Sequence, residues 1–457
     1  METTIAAIST AMSASGIGII RISGENAMDV ISRIYRSKGG KKKIKEVPTH
    51  TIHYGYIYDG EELIDEVLVM IMHAPRTFTG EDTVEIDCHG GVYAMQRVLD
   101  TVLKNGAEIA EPGEFTKRAF LNGRMDLSQA EAVMDVIQAK NEYALHSSMD
   151  QLRGSVQKAI RDIREKLIYH IAYIESALDD PEHISLDGYP QELLEVVDNE
   201  QKEVKRLLKT SSDGKMIQEG IQTVILGKPN AGKSSLLNLL IGENRAIVTD
   251  IAGTTRDILE EYITLHGISL KIIDTAGIRE TKDIVEKIGV DRAREMAQKA
   301  DLILYVVDSS VPLDENDEEI MEMLTGKKAI ILYNKTDLQP EIQPEILKEK
   351  TGHPVIPISA KEEKGITELE EQIKDMFFGG EISFNDEVYI TNARHKAALE
   401  EADRSLDLVR NSIERGMPED FFSIDLMNAY ENLGKILGES VGEDLVNEIF
   451  SKFCMGK

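Results

Sequence analysis

The segment Gly227–Ser235, which reads GKPNAGKSS, is the feature that most narrowly limits what this chain folds into. It follows an apolar run at Thr223–Leu226 and precedes an apolar helical pattern at Leu236–Leu240. A strand, a glycine-rich turn and a helix in this order are typical of a phosphate-binding loop, because glycines let backbone N–H groups turn toward phosphate oxygens. Lys233 is expected to reach the β- and γ-phosphates, and Ser234 to offer its hydroxyl to Mg²⁺.

Short apolar runs separated by helical patterns surround this loop. They lie at Leu270–Ile273, Leu302–Val307, Ala329–Tyr333 and Val355–Ile358. Such alternation predicts a mostly parallel sheet whose strands are joined by crossover helices.

Three further motifs follow these runs in chain order. Asp274–Gly277 reads DTAG, Asn334–Asp337 reads NKTD and Ser359–Lys361 reads SAK. The first would support Mg²⁺ through water and sense the γ-phosphate. In the second, the Asp337 carboxylate can accept hydrogen bonds from N1 and N2 of guanine, which adenine cannot offer. The third supplies a backbone amide for the guanine O6, so the ordered set predicts GTP rather than ATP.

The segment Gly253–Asp257, which reads GTTRD, lies between the phosphate loop and Asp274. We assign Thr255 to Mg²⁺ in the GTP state. The segment is expected to be a first switch, ordered by the γ-phosphate and loosened after hydrolysis.

Ile278 stands where many small GTPases carry the glutamine that orients the attacking water. Isoleucine cannot orient water, so another group must do so. The nearby carboxylates are Glu280, Asp283 and Glu286. The residues alone leave open which of them acts, and whether each is only part of a solvated helix face.

Helical patterns stand on both sides of the nucleotide-binding segment, which predicts a multidomain α/β and α+β protein. We expect an N-terminal α+β domain at residues 1–118 and a helical domain made of residues 119–217 and 376–457. A P-loop G domain at residues 218–375 would be inserted into the helical domain. The polar stretch Ser211–Gly214 is interpreted as a linker before it.

Composition limits the partners and the compartment. The formal net charge is −29, so the chain has no overall basic footprint for nucleic acid, and an RNA partner would need a local basic patch or another protein. Two cysteines, Cys88 and Cys454, are typical of a reducing compartment. No apolar run approaches the roughly 18 residues of a membrane span. The stretch Ile5–Ile20 is apolar, but no basic region precedes it, so we predict strands there and not a signal peptide. We therefore expect a cytoplasmic protein.

Several segments resemble one family, the TrmE-like (MnmE) GTPases that modify tRNA. They are Gly16–Gly24 (GIGIIRISG), Thr83–Gly91, Ala110–Arg124, Asp126–Glu131, Pro229–Asn230, Val248–Arg256, Asp274–Glu280 and Phe453–Lys457 (FCMGK). The resemblance extends over essentially all 457 residues, and Met455 is a mild departure from the family's Phe-Cys-Ile-Gly-Lys ending.

For the G domain, the resemblance implies a potassium ion at the phosphates. Its implied ligands are Asn230, Thr249, Ile251 and Thr254. A bound monovalent cation can supply the charge that an arginine finger supplies elsewhere. The resemblance also implies that Glu286 orients the attacking water and that G domains pair across a dimer. With Lys233 and Thr255, assigned above from the motifs, Glu286 completes the expected catalytic set.

The resemblance and the motifs together give one set of expected GTP contacts, with Mg²⁺ on Ser234 and Thr255. The set is Asn230, Ala231, Gly232, Lys233, Ser234, Ser235, Thr249, Asp250, Ile251, Ala252, Gly253, Thr254, Thr255, Asp274, Thr275, Ala276, Gly277, Asn334, Lys335, Asp337, Ser359, Ala360 and Lys361.

For the N-terminal domain, the resemblance implies binding of a 5-formyltetrahydrofolate-type folate and a constitutive homodimer. The folate positions are Arg21, Glu85, Arg124 and Lys457. Arginines suit carboxylates or pterin oxygens, and a glutamate can pair with the pterin N–H groups. Without the resemblance, Arg21, Glu85 and Arg124 would each be interpreted as part of an ordinary ion pair. Arg124 stands where some relatives have lysine, and Cys454, in a tail expected to be flexible, is a candidate for a site shared with a partner.

The function that the resemblance implies is K⁺-dependent GTP hydrolysis coupled to tRNA modification. With an FAD-dependent partner, MnmG in this family, the chain would form a heterotetramer or larger assembly. Together they would convert C5 of the wobble uridine (U34) of certain tRNAs to an aminomethyl or carboxymethylaminomethyl derivative, using a tetrahydrofolate one-carbon unit. The alternatives are a ribosome-assembly GTPase and a regulatory GTPase bound to a membrane transporter.

Overall fold

The computed structural model describes residues 3–39, 43–245, 261–265, 267–273, 286–378 and 388–456. The chain forms two compact units. One contains Met1–Ile137, Ser148–Gln201 and Glu401–Lys457, and the other contains Gln138–Ser147 and Lys202–Glu400. The multidomain α/β and α+β class is confirmed, whereas the expected boundaries at residues 118, 217 and 375 stay a prediction.

The first unit contains a seven-stranded sheet. Its strands are β1 (Ile5–Ile8), β2 (Ile17–Ser23), β3 (Tyr35–Ser37), β4 (Thr51–Asp59), β5 (Glu62–Met72), β6 (Thr83–His89) and β7 (Glu108–Ile109). The strand order is β3-β4-β5-β6-β2-β1-β7. All neighbours are antiparallel except β1 and β7, which are parallel.

Helices follow and interrupt this sheet in the sequence. They are α1 (Ala27–Ile34), α2 (Val92–Lys104), α3 (Glu114–Leu121), α4 (Leu127–Gln138), α5 (Glu142–Leu152), α6 (Ser155–Asp179) and α7 (Tyr189–Glu219).

Residue alternation along β2 and β6 decides which side chains meet the core. Ile20 and Ile22 of β2 are fully buried with Ile86 of β6, and α1 and α2 pack on this face. Successive side chains of a strand point to opposite faces, so Arg21 lies on the other face of the sheet. There it pairs in register with Glu85 of β6.

The linker expected at Ser211–Gly214 is wrong, because α7 runs through it without a break. The Ser211 hydroxyl donates to Leu208 O at 2.7 Å, which lets a polar residue remain inside a helix. At Gly214, an added Cβ would lie 2.5 Å from Ile390 O. Glycine is therefore required there by the close approach of another segment, and it does not mark a helix end.

The second unit contains a six-stranded sheet. Its strands are β8 (Ile221–Leu226), β9 (Glu261–Leu265), β10 (Ile268–Ile272), β11 (Leu302–Asp308), β12 (Ala329–Asn334) and β13 (Val355–Pro357). The order is β13-β12-β11-β8-β10-β9, parallel except for β9 against β10. Five of these strands are confirmed predictions, whereas β9 was missed.

The remaining helices pack around this sheet or return to the first unit. They are α8 (Lys233–Arg245), α9 (Glu286–Lys299), α10 (Glu315–Met323), α11 (Pro344–Thr351), α12 (Ile366–Phe378), α13 (Ala393–Glu414), α14 (Glu419–Leu437) and α15 (Glu443–Ser451). Apolar clusters lie on both faces of the sheet, one against α8 and α12 and the other against α9, α10 and α11. All seven residues of β11 are buried, as expected for a parallel strand covered on both sides.

The C-terminal tail is packed against the N-terminal sheet, so the expectation of a flexible tail is wrong for residues 454–456. Gly456 O accepts hydrogen bonds from Ser9 Oγ and Arg21 Nη1, both at 3.1 Å. The Gly113 amide donates to Cys454 O at 3.4 Å. Lys457 lies outside the described residues.

Within the part of the chain that the structure describes, no helix has both the length and the apolar character needed to cross a membrane.

Candidate functional site

The phosphate loop connects β8 to the first turn of α8. The Lys233 ammonium donates to Gly227 O at 2.6 Å and to Lys228 O at 2.7 Å, so its side chain folds back over the loop. Burial lowers the pKa of Lys233. The loop places a cation and the N-terminus of a helix together, which is the arrangement that binds phosphate groups.

Gly232 is the point at which the loop touches the base-binding motif. Its φ is +103°, and an added Cβ would lie 2.1 Å from Asn334 Nδ2. A side chain at this position would meet both a backbone conformation that L-residues rarely adopt and a clash with a buried amide. The glycine of the sequence motif is therefore required by the contact itself.

The side chain of Asn334 joins three of the sequence motifs. It is 2% exposed at the end of β12. Its Nδ2 donates to Ala231 O at 2.8 Å, and its Oδ1 accepts from the Ala360 amide at 3.2 Å. One amide thus fixes the phosphate loop relative to both base-binding segments.

Asp337 lies beside the third motif, as the sequence predicts. The Ser359 hydroxyl donates to Asp337 Oδ1 at 2.9 Å. The Lys361 ammonium lies 4.0 Å from Asp337 Oδ2. Because Oδ1 already accepts a hydrogen bond from Ser359, Oδ2 is the oxygen that we expect to accept hydrogen bonds from a guanine ring.

The other predicted nucleotide contacts divide into two groups. Asn230, with φ +62°, and Lys335, with φ +65°, are described, as are Ser234 and Ser235 at the start of α8. Outside the described residues lie Thr249, Asp250, Ile251, Ala252, Gly253, Thr254, Thr255, Asp274, Thr275, Ala276 and Gly277. Glu286 is the first residue of α9, and its side chain also lies outside what is described.

A second cluster, in the first unit, brings together three of the expected folate positions. Arg21 Nε lies 2.8 Å from Glu85 Oε1, and the two side chains are only 15% and 18% exposed. Arg21 Nη1 also donates to Gly456 O. Arg21 is therefore held by a carboxylate from a neighbouring strand and by the C-terminal tail.

Two phenylalanines complete this cluster and were missed by sequence reasoning. The guanidinium carbons of Arg21 and Arg124 lie 5.8 and 5.3 Å from the centre of the Phe78 ring. Arg21 also lies 5.6 Å from the centre of the Phe115 ring. Phe115 lies within a motif used for the family resemblance, whereas nothing in the sequence around Phe78 marks it. Two cations, one carboxylate and aromatic rings are suited to a flat ligand that carries anionic groups.

The two cysteines differ in exposure: Cys88 is buried and Cys454 is exposed. The Cys88 thiol donates to Gly18 O at 3.4 Å. Burial, together with the charge of Asp65, raises the pKa of Cys88 to about 12. Cys88 is therefore a small core residue.

Comparisons with known proteins cover the whole chain. Residues 4–124 match the family model described as the GTP-binding protein TrmE N-terminus, and residues 127–454 match the MnmE helical domain. A protein of Lachnoclostridium phytofermentans named tRNA modification GTPase MnmE is 60% identical over 99% of both chains. Proteins with the same name from Geobacillus kaustophilus and Bacillus subtilis are 50% and 47% identical over 99% of this chain and 99% and 100% of their own.

Solved structures similar to part of the chain include two G domains of FeoB. That of the T. maritima FeoB iron transporter is 28% identical, covering 34% of this chain and 97% of its own, with a TM-score of 0.27. That of Methanococcus jannaschii has the same identity and coverage, with a TM-score of 0.26.

The difference between the two thiols predicts selective alkylation. At pH 8, a thiol with a pKa near 12 holds almost no thiolate, and Cys88 is also shielded from reagents. Iodoacetamide should add one group to the native protein, at Cys454, and a second only after unfolding, as read by intact mass and peptide mapping. The Cys454→Ser variant should take up none while native. Native labelling of Cys88 at the rate of Cys454 would contradict this assignment.

Proposed function

Because this chain belongs to the MnmE family of tRNA modification GTPases, we propose that its GTP hydrolysis drives modification of C5 of the wobble uridine (U34) of certain tRNAs. The chain is a GTP hydrolase. The observation that carries the proposal is that Asn334 joins the phosphate loop to the base-binding segments of a guanine-nucleotide site. Full-length relatives of this chain are named tRNA modification GTPase MnmE.

The partner in this reaction would be an FAD-dependent protein of the MnmG type, in a heterotetramer or larger assembly, with the chain itself a homodimer through its N-terminal domain. Net charge supports this division of labour. At −29, the chain repels a polyanion unless a local patch or a partner offsets its charge. A tRNA would then be held mainly by the partner. The product would be an aminomethyl or carboxymethylaminomethyl uridine, with its one-carbon unit from a tetrahydrofolate.

Loss of the gene should remove the modified wobble uridine from bulk tRNA, as measured by mass spectrometry of nucleosides. The wild-type gene should restore it. Lys233→Ala should not, since Lys233 is the lysine of the phosphate-binding loop, whereas Lys348→Ala, a change of an exposed lysine on α11, should restore it fully. Unchanged wobble uridine after deletion would refute the proposal. Such a result combined with a ribosome-assembly defect would favour the alternative of a ribosome-assembly GTPase.

The charge needed in the transition state would come from a potassium ion at the phosphates. Asn230 is exposed on the phosphate loop in a left-handed conformation, which asparagine tolerates better than most residues, and an amide oxygen suits a hard cation. Thr249, Ile251 and Thr254 would supply the other ligands. Ser234 at the start of α8 would bind Mg²⁺ with Thr255, and Glu286 would orient the attacking water.

This cation model predicts faster GTP turnover in K⁺ than in Na⁺ at equal ionic strength. The difference should be at least about tenfold, because one missing charge-stabilising group commonly costs more than that in a transition state. Asn230→Ala should abolish the difference. Asn316→Ala, at an exposed asparagine of α10, should keep it. Equal turnover of the wild-type chain in both salts would rule out the model.

The cluster of Arg21, Glu85, Arg124 and Phe78 would bind the folate, with Lys457 as a further contact. Arg21 and Arg124 both lie close to the Phe78 ring, so one ligand could place its carboxylates on the arginines and its flat ring system beside the phenylalanine. Glu85 would accept hydrogen bonds from pterin N–H groups in addition to its contact with Arg21. Folate binding also separates this proposal from that of a regulatory GTPase at a membrane transporter.

Arg21→Met should weaken 5-formyltetrahydrofolate binding at least about tenfold, since a charged hydrogen bond contributes about 1.5–3 kcal/mol. Isothermal titration calorimetry on the whole protein would measure this. Arg76→Met is the matched control, because Arg76 is an exposed arginine of the same unit. Equal affinity in the two variants would show that the cluster is an ordinary ion pair.

A further inference from the structure

The connection from the end of β11 into α10, residues 308–317, carries carboxylates that belong to none of the nucleotide motifs. Asp308 is the last residue of β11, and Asp314 is the N-cap of α10. Asp317, in the first turn, is 1% exposed. Together with Asp314 it forms a capping box, in which each side chain accepts from the other residue's backbone amide. These residues are therefore fixed before any ligand binds.

At the base side, Asp308 holds Lys335 of the second motif. Lys335 Nζ lies 2.5 Å from Asp308 Oδ2. The other carboxylate oxygen, Oδ1, accepts from the Ser310 amide at 3.0 Å and the Ser310 hydroxyl at 2.7 Å. Lys335 has φ +65°, a conformation that lysine rarely adopts without support from its surroundings. The ion pair supplies part of that support.

Ser309 fixes the backbone of the same motif. Its amide donates to Asn334 O at 3.0 Å, and its hydroxyl donates to Lys335 O at 3.2 Å. Ser309 is fully buried. The connection thus holds both the side chain and the main chain on which the base would rest.

At the phosphate side, the same connection holds Lys228, the second residue of the phosphate loop. Lys228 Nζ lies 2.7 Å from Asp317 Oδ2 and 3.0 Å from Asp314 Oδ2. The buried Tyr305 hydroxyl donates to Asp317 Oδ1 at 2.7 Å. Lys228 Nζ is therefore held by two carboxylates, while the Lys228 carbonyl accepts from Lys233 Nζ. The Lys228 ammonium thus links the phosphate loop to the start of α10.

We propose that three carboxylates of this connection, Asp308, Asp314 and Asp317, act as a brace that positions the two ends of the GTP site. Asp308 positions Lys335 at the base, and Asp314 with Asp317 positions Lys228 and hence the phosphate loop. One rigid connection thus sets both halves of the site before GTP arrives. Preorganisation of this kind lowers the ordering cost of binding, so it strengthens affinity for GTP and GDP alike. Uniform binding changes KM and leaves kcat as it is.

The variants Asp308→Asn and Asp317→Asn test this in the full-length protein. Each should weaken binding of a fluorescent GDP analogue and raise the KM for GTP about tenfold, the order of effect expected for one charge-assisted contact. The kcat should stay within about twofold of that of the wild type. The double variant should bind the GDP analogue about a hundredfold more weakly than the wild type, because the two contacts lie at separate ends of the site and share no partner.

Glu315→Gln is the matched control, since Glu315 is an exposed carboxylate of the same connection and its loss removes the same charge. It should bind GDP like the wild type. If Asp308→Asn and Asp317→Asn bind GDP as tightly as this control, or if kcat falls while KM is unchanged, the brace does not exist.

A second pair of variants decides the question if the asparagine variants lose thermal stability. Lys228→Arg keeps the ion pairs with Asp314 and Asp317, and should retain GDP affinity. Lys228→Met approximates the length of the side chain without its charge, and its affinity for GDP should be about tenfold lower. Equal affinity of these two variants would overturn the proposal for the phosphate side.

Discussion

The buried side-chain amide of Asn334 joins the phosphate loop to the base-binding segments, and the rest of the nucleotide site depends on it. Its Nδ2 holds Ala231 O and its Oδ1 accepts from the Ala360 amide. A buried amide left without these partners would cost about 1–3 kcal/mol, so the contact favours the arrangement in which all three segments are in place. Gly232 completes the arrangement by leaving room for the Nδ2 group.

Sheet topology explains why these segments meet. The strands β8, β11, β12 and β13 are parallel neighbours, and the residues that follow their carboxyl ends collect at one edge. In register, Asp308 at the end of β11 pairs with Asn334 at the end of β12. Ligands of open α/β sheets bind at this edge. Motifs that are far apart in the sequence are brought together by strand pairing, and hydrogen bonds of single side chains then set the distances between them.

The elements that sequence reasoning found and missed differ in burial. The parallel strands were predictable because burial on both faces makes them continuous apolar runs, as LILYVVD shows at β11. The edge strand β9 reads EYITL, in which polar residues break the run, and it was missed. The prediction of a linker at Ser211–Gly214 is wrong because a polar composition does not by itself end a helix. The Ser211 hydroxyl donates a hydrogen bond to Leu208 O within the same helix.

The nucleotide motifs were found for a related reason: each is a contiguous segment whose chemistry is local. Phe78, by contrast, meets Arg21 and Arg124 only through the fold, so no local pattern points to it. The same holds for Asp308 and Asp317, whose partners lie 27 and 89 residues away at Lys335 and Lys228. The sequence has 81 Asp and Glu residues, and nothing in it indicates which of these carboxylates contact the nucleotide-binding loops.

The C-terminal tail shows how a chain can carry an inserted nucleotide unit without dividing the unit around it. Residues 1–137, 148–201 and 401–457 form one compact unit although residues 138–147 and 202–400, which belong to the other unit, intervene. Gly456 O accepts from Ser9, which directly follows β1, and from Arg21 of β2, so the C-terminal tail holds side chains from the start of the sheet. The cluster around Arg21 therefore requires that the chain return after the insertion. A ligand bound there would stabilise the contact between the two ends of the chain, because it would bind only the form in which they meet.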